Sequence, residues 1–149
     1  MIFGIIFLII LIILLVWLSV NYIILKGSNI IARDAFDKLH LQINKRYDLI
    51  LNNLSNADNS EFVSETRNLI EKAKNFSAQK DGIDRIIRFA NAIFENAEQL
   101  SALPENDSYF NDAKNNYNQC AQKLRHYVDV FPTSLMARFA NIKFLDLLH

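Results

Sequence analysis

Thiol–imidazole chemistry or histidine-based metal binding in this 149-residue chain would have to come from three histidines and one cysteine. His40, His126 and His149 are far apart in sequence, and no pair has the three- or four-residue spacing by which a helix aims two ligands at one metal ion. Cys120 precedes His126 by six residues, and positions six apart on a helix point to different sides, whereas a thiol nucleophile needs a base within hydrogen-bond reach. The spacing therefore predicts neither a metal site nor a catalytic pair.

Phosphate and carboxylate chemistry is no better supported. The chain has three glycines in all, too few and too scattered for a P-loop or a dinucleotide-binding fingerprint. The acidic pairs Glu61/Glu65 and Glu95/Glu98 have no histidine at the spacing used by di-iron bundles. We therefore expect no metal, no cofactor and no enzymatic activity. The alternative is a ligand-sensing or hydrolytic bundle with a polar site between its helices.

The N-terminal segment has a much clearer chemical character. Residues 1–25 carry no charge, and nineteen of these twenty-five are Ile, Leu, Val or Phe. A helix of this length runs about 36 Å, enough to cross a hydrocarbon core of about 30 Å. The segment lacks the basic start and the small-residue cleavage site of a signal peptide. It predicts an uncleaved anchor in the lipid bilayer, with Trp17 and Tyr22 near the interface.

Basic residues are placed on only one side of this segment. None precedes it, and the first five after it are Lys26, Arg33, Lys38, Lys45 and Arg46. The positive-inside rule then places the C-terminal part in the cytoplasm and the short N-terminus outside. A single cysteine fits a reducing compartment.

Residues 26–149 have the composition of a soluble domain. They contain all sixteen basic and all sixteen acidic residues of the chain, and such a balance argues against nucleic acid as a partner. Their number suits one hydrophobic core. We expect two units, the anchor at 1–25 and one folded domain at 26–149.

Apolar residues in this domain recur every three or four positions, which is typical of helices with one buried face. The first stripe is Phe36, Leu39, Ile43, Tyr47, Ile50 and Leu54, and the second, in a helix capped by Ser60, is Phe62, Thr66, Leu69, Ala73 and Phe76. The third follows a break at Gly82 and comprises the apolar positions from Ile83 to Leu100. The fourth belongs to a helix that begins at about Asp107 and comprises Phe110, Ala113, Tyr117, Cys120, Leu124 and Val128. After Pro132, which separates the last two helices, the tail has Leu135, Phe139 and Ile142 on its apolar side, with Lys143 and Asp146 outside.

This pattern predicts an all-α protein. No stretch alternates with period two, and four amphipathic helices joined by short connections favour an antiparallel four-helix-type bundle. Gly27 weakens a helix by about 1 kcal/mol relative to Ala but does not end it. We therefore expect the membrane helix to continue, with at most a kink, into a long first bundle helix.

Two segments resemble the LemA family. The first is Ala35–Ile50, which has an Ala-aromatic pair, alternating apolar positions and then Lys45, Arg46, Tyr47, Asp48, Leu49 and Ile50. The second has Tyr117 and Asn118, twelve further residues, and then Phe131 and Pro132. Leu51 stands where the family usually has proline, which lets the helix continue. The resemblance implies an anchor with a short outer end, a long helix and a small antiparallel bundle.

The residues of these two segments are the candidate structural or interaction motif: Arg46, Tyr47, Asp48, Tyr117, Asn118, Phe131 and Pro132. On the apolar stripe, Tyr117 is expected to bury its ring and to hydrogen-bond its hydroxyl, for example to a backbone group. Asn118 is expected to brace a neighbouring helix. Arg46 and Asp48 are open to two interpretations, ion pairs between helices or contact with a partner.

The sequence therefore predicts a single-pass protein of a bacterial inner membrane. Its function would be to bind or scaffold other membrane or cytoplasmic proteins, with a homo-oligomer as one form of this. Tethering suits such a role because it raises the effective concentration of partners held at the same surface.

Overall fold

A computed structural model describes residues 2–55, 61–105 and 108–149. These ranges form five helices and contain no strand. The helices are α1 (Ile2–Leu54), α2 (Glu61–Lys74), α3 (Ile83–Gln99), α4 (Ser108–Asp129) and α5 (Thr133–Phe139). The prediction of an all-α protein is confirmed for the described residues. The capping role of Ser60 and the start of a helix at Asp107 lie outside them.

Helix α1 runs without interruption from the apolar segment into the folded domain. It has 53 residues and is about 80 Å long at 1.5 Å per residue. Gly27 lies inside it, and no atom lies within 4 Å of the position that a Cβ would take. The predicted continuous helix is therefore confirmed.

The first half of α1 is exposed on nearly all sides. An 18-residue stretch reaches a mean hydropathy of 3.2 with none of it buried inside the molecule. Two of its polar side chains donate to the backbone of the same helix: Ser19 Oγ to Leu15 O at 2.8 Å and Asn21 Nδ2 to Trp17 O at 2.7 Å. Such internal pairing is what a lipid environment demands. By length and composition, α1 can cross a membrane.

Helix α4 packs along α1 in the opposite direction. Near one end of the bundle the Arg46 guanidinium lies 4.1 Å from the centroid of the Phe110 ring. Further along, the Phe36 and Tyr117 rings are 5.9 Å apart. The α4–α5 turn then reaches the apolar half of α1, where Trp17 and Phe131 have ring centroids 6.4 Å apart.

Helices α2 and α3 complete the bundle. They pack against each other, and near their connection Phe76, just after α2, meets Phe89 of α3 edge to face with ring centroids 4.8 Å apart. Helix α3 also meets α1, since Tyr47 and Phe94 have ring centroids 6.1 Å apart. Gly82 precedes α3 with a φ of 81°, a conformation that glycine adopts without strain.

The buried residues test the predicted stripes. The first stripe and the third from Ile83 to Ala97 are buried as predicted, whereas in α2 the buried face is Val63, Thr66, Ile70 and Ala73. Phe62 and Leu69 are only partly buried. Both sets have helical spacing, so periodicity did not distinguish them. In α4 the buried positions are Phe110, Tyr117, Ala121 and Leu124.

The chain after α4 departs from prediction. Pro132 separates α4 from α5 as expected, but Leu135 and Phe139 are exposed, while Thr133 and Ala137 face inward. The small inward residues let α5 approach its neighbours closely. Assigning Leu135 and Phe139 to the core side was wrong.

Candidate functional site

The seven candidate residues lie in three separate places along the bundle. Arg46, Tyr47 and Asp48 lie at the end far from the apolar half of α1, Tyr117 and Asn118 lie midway on α4, and Phe131 and Pro132 lie beside the apolar half. The structure does not bring them together into one site. Each group therefore has to be interpreted by its own contacts.

Arg46 joins four segments of the bundle. Its side chain is 3% exposed, and Nη2 donates to the Pro104 carbonyl oxygen at 2.8 Å. The guanidinium also lies over the rings of Phe110 and Phe94, at 4.1 and 5.7 Å. A cation stacked on aromatic faces is stabilised by their quadrupoles. Arg46 thus links α1 to α3, to the loop after it and to α4.

The neighbours of Arg46 have different environments. The Tyr47 ring is buried, and its hydroxyl has no hydrogen-bond partner among the described residues. Burial raises the pKa of Tyr47. Asp48 is exposed and pairs with Lys74 of α2. Of the two interpretations of Asp48, the structure shows the ion pair between helices.

Tyr117 and Asn118 hold the C-terminal tail, residues 140–149, against α4. The predicted hydrogen bond of Tyr117 to a backbone group is confirmed: its hydroxyl donates to Asp146 O at 2.7 Å. Asn118 Nδ2 donates to Leu148 O at 2.8 Å, and the Leu148 amide donates back to Asn118 Oδ1 at 3.0 Å. Asn118 therefore braces the tail, and the expectation that it braces a helix was wrong.

Helix α3 holds the same tail from the other side. Asn91 Nδ2 donates to Leu147 O at 3.0 Å, and its Oδ1 accepts the His149 amide at 2.9 Å. The Asp146 amide donates to Asp84 Oδ1 at 3.1 Å. Burial, together with the charges of Asp84 and Asp146, raises the pKa of Tyr117. Sequence reasoning missed Asn91 and Asp84; one signal was an asparagine next to the apolar stripe of α3.

Phe131 and Pro132 lie where α4 turns into α5. Phe131 is 71% exposed, and its ring lies tilted against the Trp17 ring, with the two centroids 6.4 Å apart. The Thr133 hydroxyl lies within hydrogen-bond distance of two carbonyl oxygens at the end of α4, those of Tyr127 and Val130, the latter at 2.7 Å. Its single proton ties this turn to the end of α4.

The candidate reactive groups are dispersed. His40 stacks on Phe36 at 5.3 Å; burial lowers its pKa, against the opposing charge of Asp37. Cys120 Sγ lies 3.9 Å from Asn116 Oδ1. No group of three or more His, Cys, Asp or Glu residues suited to a metal ion occurs within ranges 2–55, 61–105 and 108–149.

An open groove of about 770 Å³ lies between α3, α5 and the tail. Its walls carry three cationic side chains, Arg88, Arg138 and Lys143, and two carboxylates, Asp84 and Asp146. Arg88 Nε lies 3.2 Å from Asp146 Oδ2. The groove offers cationic groups to a small anionic ligand.

Comparisons with family models, with curated proteins and with solved structures found no match to this chain.

Proposed function

We propose that this chain is a single-pass protein of a bacterial inner membrane, and that its LemA-like helical bundle is a non-enzymatic scaffold or protein-interaction module on the cytoplasmic face. The observation that carries the proposal is the unbroken helix α1, which joins an exposed apolar half to a buried core. Because no flexible linker intervenes, the anchor fixes the height and the rotation of the bundle above the membrane.

The orientation rests on charge. The first basic residue, Lys26, follows the apolar half of α1 directly, and further basic residues follow on the same side. Positive charge of this kind is retained in the cytoplasm. The exposed Lys26, Arg33 and Lys38 side chains also lie close to where anionic headgroups would be.

The outward face of α1 is the surface best suited to a partner. C-terminal to the apolar half, this face exposes four large apolar side chains, those of Ile30, Ile31, Leu41 and Leu49. Leu41 is 59% exposed. At 100° per residue these positions share an arc of roughly 100°. The arc also carries Asp34 and Lys38, one turn apart and both exposed.

A second copy of the chain is the partner that this face fits. Two copies anchored in one membrane stand parallel and at equal height, so a two-fold axis along the membrane normal brings each residue of the face near its own copy. Asp34 then lies about one helical turn, near 6 Å, from the level of the partner's Lys38. Each Asp34 therefore faces the partner's Lys38, once on each side of the two-fold axis, and the two Leu41 side chains meet at the axis.

Cysteine crosslinking in intact membranes tests this arrangement. In a Cys120→Ser background, Leu41→Cys is expected to give a disulfide-linked dimer on mild oxidation. Glu65→Cys, which is also exposed but lies on α2, is the matched control and should stay monomeric. Recovery of monomer alone from Leu41→Cys, or equal dimer from both variants, would contradict pairing through α1. Mass spectrometry of lysine-crosslinked membranes then identifies other partners.

The Glu65→Cys variant also tests orientation. A membrane-impermeant thiol reagent should leave it unlabelled in intact cells and label it after the cells are opened. Labelling in intact cells would place the bundle on the outer side of the membrane.

The charged groove favours one second candidate function, the sensing of a small anionic ligand. Inorganic phosphate is a simple probe. If the groove binds small anions, phosphate should raise the melting temperature of the reconstituted protein, and Lys143→Ala should abolish the rise. An unchanged melting temperature up to high phosphate concentration would remove this candidate.

A further inference from the structure

We propose that α5 and the turn before it form a second membrane-contacting surface, which lies in the bilayer interface with Phe131, Leu135 and Phe139 among the lipid chains. This inference rests on the proposed anchoring of α1 in a bilayer. It adds an attachment beyond the N-terminal anchor, because the bundle would then touch the membrane at two places.

The height of α5 along α1 carries the argument. From Phe3 to Ile24, α1 is apolar and rises about 32 Å, close to the full hydrocarbon thickness of about 30 Å. Helix α5 faces α1 across a groove whose wall on α1 extends from Leu15 to Ile23. Those positions lie about 18 to 30 Å above Phe3, in the upper part of the hydrocarbon layer and its interface. A segment packed there is at membrane depth.

The side chains that α5 turns outward suit that depth. Phe131 is 71% exposed and Phe139 is 84% exposed, while Leu135 is also exposed. From Val130 to Ile142 the sequence contains a single charged residue, Arg138. An exposed arginine beside apolar side chains can extend its charge to the headgroups while its stem stays in the apolar layer.

A groove between the two helices indicates what covers this face. It has a volume of about 560 Å³ and is lined on one side by Leu15, Leu18 and Tyr22 and on the other by Met136 and Phe139. Because one wall is the proposed span itself, the medium that covers the span also fills the groove. Lipid acyl chains are therefore its occupant. Nearly all of its lining is apolar, and the Ser19 hydroxyl already donates to Leu15 O at 2.8 Å, so the groove offers little polar specificity for a protein partner.

Tryptophan fluorescence with quencher lipids tests the proposal on the full chain. In a Trp17→Phe background, single tryptophans are placed by Phe139→Trp, by Tyr109→Trp and by Ile10→Trp. Tyr109 is the matched control, since it is an aromatic residue 77% exposed at the far end of α4. Ile10→Trp reports on the span alone. Each variant is reconstituted in phosphatidylcholine and phosphatidylglycerol vesicles that carry a doxyl quencher at a shallow or a deep position of the acyl chain.

The expected result separates the three probes. Phe139→Trp should emit at shorter wavelength than Tyr109→Trp and be quenched best by the shallow quencher, while Ile10→Trp is quenched best by the deep one and Tyr109→Trp by neither. If Ile10→Trp is quenched and Phe139→Trp is not, α5 lies outside the membrane and the inference fails alone. A blue-shifted but unquenched Phe139→Trp would mean that protein covers α5, which also overturns it. If neither Ile10→Trp nor Phe139→Trp is quenched, the anchoring itself fails.

Discussion

The C-terminal tail is held by amide side chains, and the substitution Asn118→Ala tests how much that contact contributes. The change removes both hydrogen bonds to Leu148, at 2.8 and 3.0 Å. It leaves Asn91 on the other side of the tail in place. The backbone groups of Leu148 lose partners that water replaces only by opening the tail, since the Leu148 side chain is buried against the core.

The magnitude follows from the two bonds. Each intramolecular hydrogen bond contributes about 0.5–1.5 kcal/mol net, so their loss weakens tail docking by about 1–3 kcal/mol. At about 1.4 kcal/mol per factor of ten, a loss near 2 kcal/mol corresponds to an opening roughly thirty times more frequent. The loss should be local, because the contacts between α1 and α4 do not involve the tail.

Hydrogen–deuterium exchange on the full protein in lipid nanodiscs measures this opening. Amides of residues 145–149 should lose protection by roughly thirtyfold, while amides in the middle of α1 keep theirs. Asn116→Ala is the control, because Asn116 lies two positions away on the exposed side of α4. Equal protection in Asn118→Ala and Asn116→Ala would refute the reasoning, as would a uniform loss across the whole domain.

Three further predictions concern the buried and helical positions. Tyr117→Phe should lower the free energy of unfolding by about 1 kcal/mol, because the Tyr117 hydroxyl donates a hydrogen bond. Tyr47→Phe should leave the free energy of unfolding unchanged or raise it, because the Tyr47 hydroxyl has no hydrogen-bond partner among the described residues. Chemical denaturation in detergent compares the two variants. Gly27→Ala should stabilise α1 by about 0.5–1 kcal/mol, seen as slower exchange around residue 27; faster exchange there would contradict a continuous helix. The pKa of His40 is lowered in the folded protein from its ordinary value of 6.5. Below pH 6.5 the unfolded state therefore binds more protons than the folded state, so the free energy of unfolding should fall as the pH drops below about 6.5. His40→Gln should flatten that dependence, and an unchanged pH profile would show that His40 is not its source.

The helices that sequence reasoning located best are those with a strong local signal. In α1 the stripe from Phe36 to Leu54 and in α3 the stripe from Ile83 to Ala97 are buried as predicted, because in each the large apolar residues fall on one side only. In α2 two sets of apolar residues had equal spacing. Contacts with α1 and α3 decided between them, and such contacts cannot be read from one segment.

The tail and α5 were beyond local reasoning for a different reason. The tail has no regular structure, and its position depends on hydrogen bonds from Asn91 and Asn118, which are 58 and 30 residues away in sequence from their partners His149 and Leu148. The orientation of α5 follows from the close fit of Thr133 and Ala137, small residues that carry little hydrophobic signal. The missed clue was the low charge of the segment from Val130 to Ile142.

The unbroken course of α1 gives the proposed anchoring a mechanical consequence, because any tilt of the apolar half is passed on to the bundle as a whole. From Leu25 to Leu54 the rod extends about 44 Å beyond the apolar half. A change of about 10° in the tilt of the span, of the size that a thicker or thinner bilayer imposes, carries the far end sideways by about 8 Å. Under the proposed anchoring, bilayer thickness would therefore set the lateral position of Arg46 and of the helices packed around it.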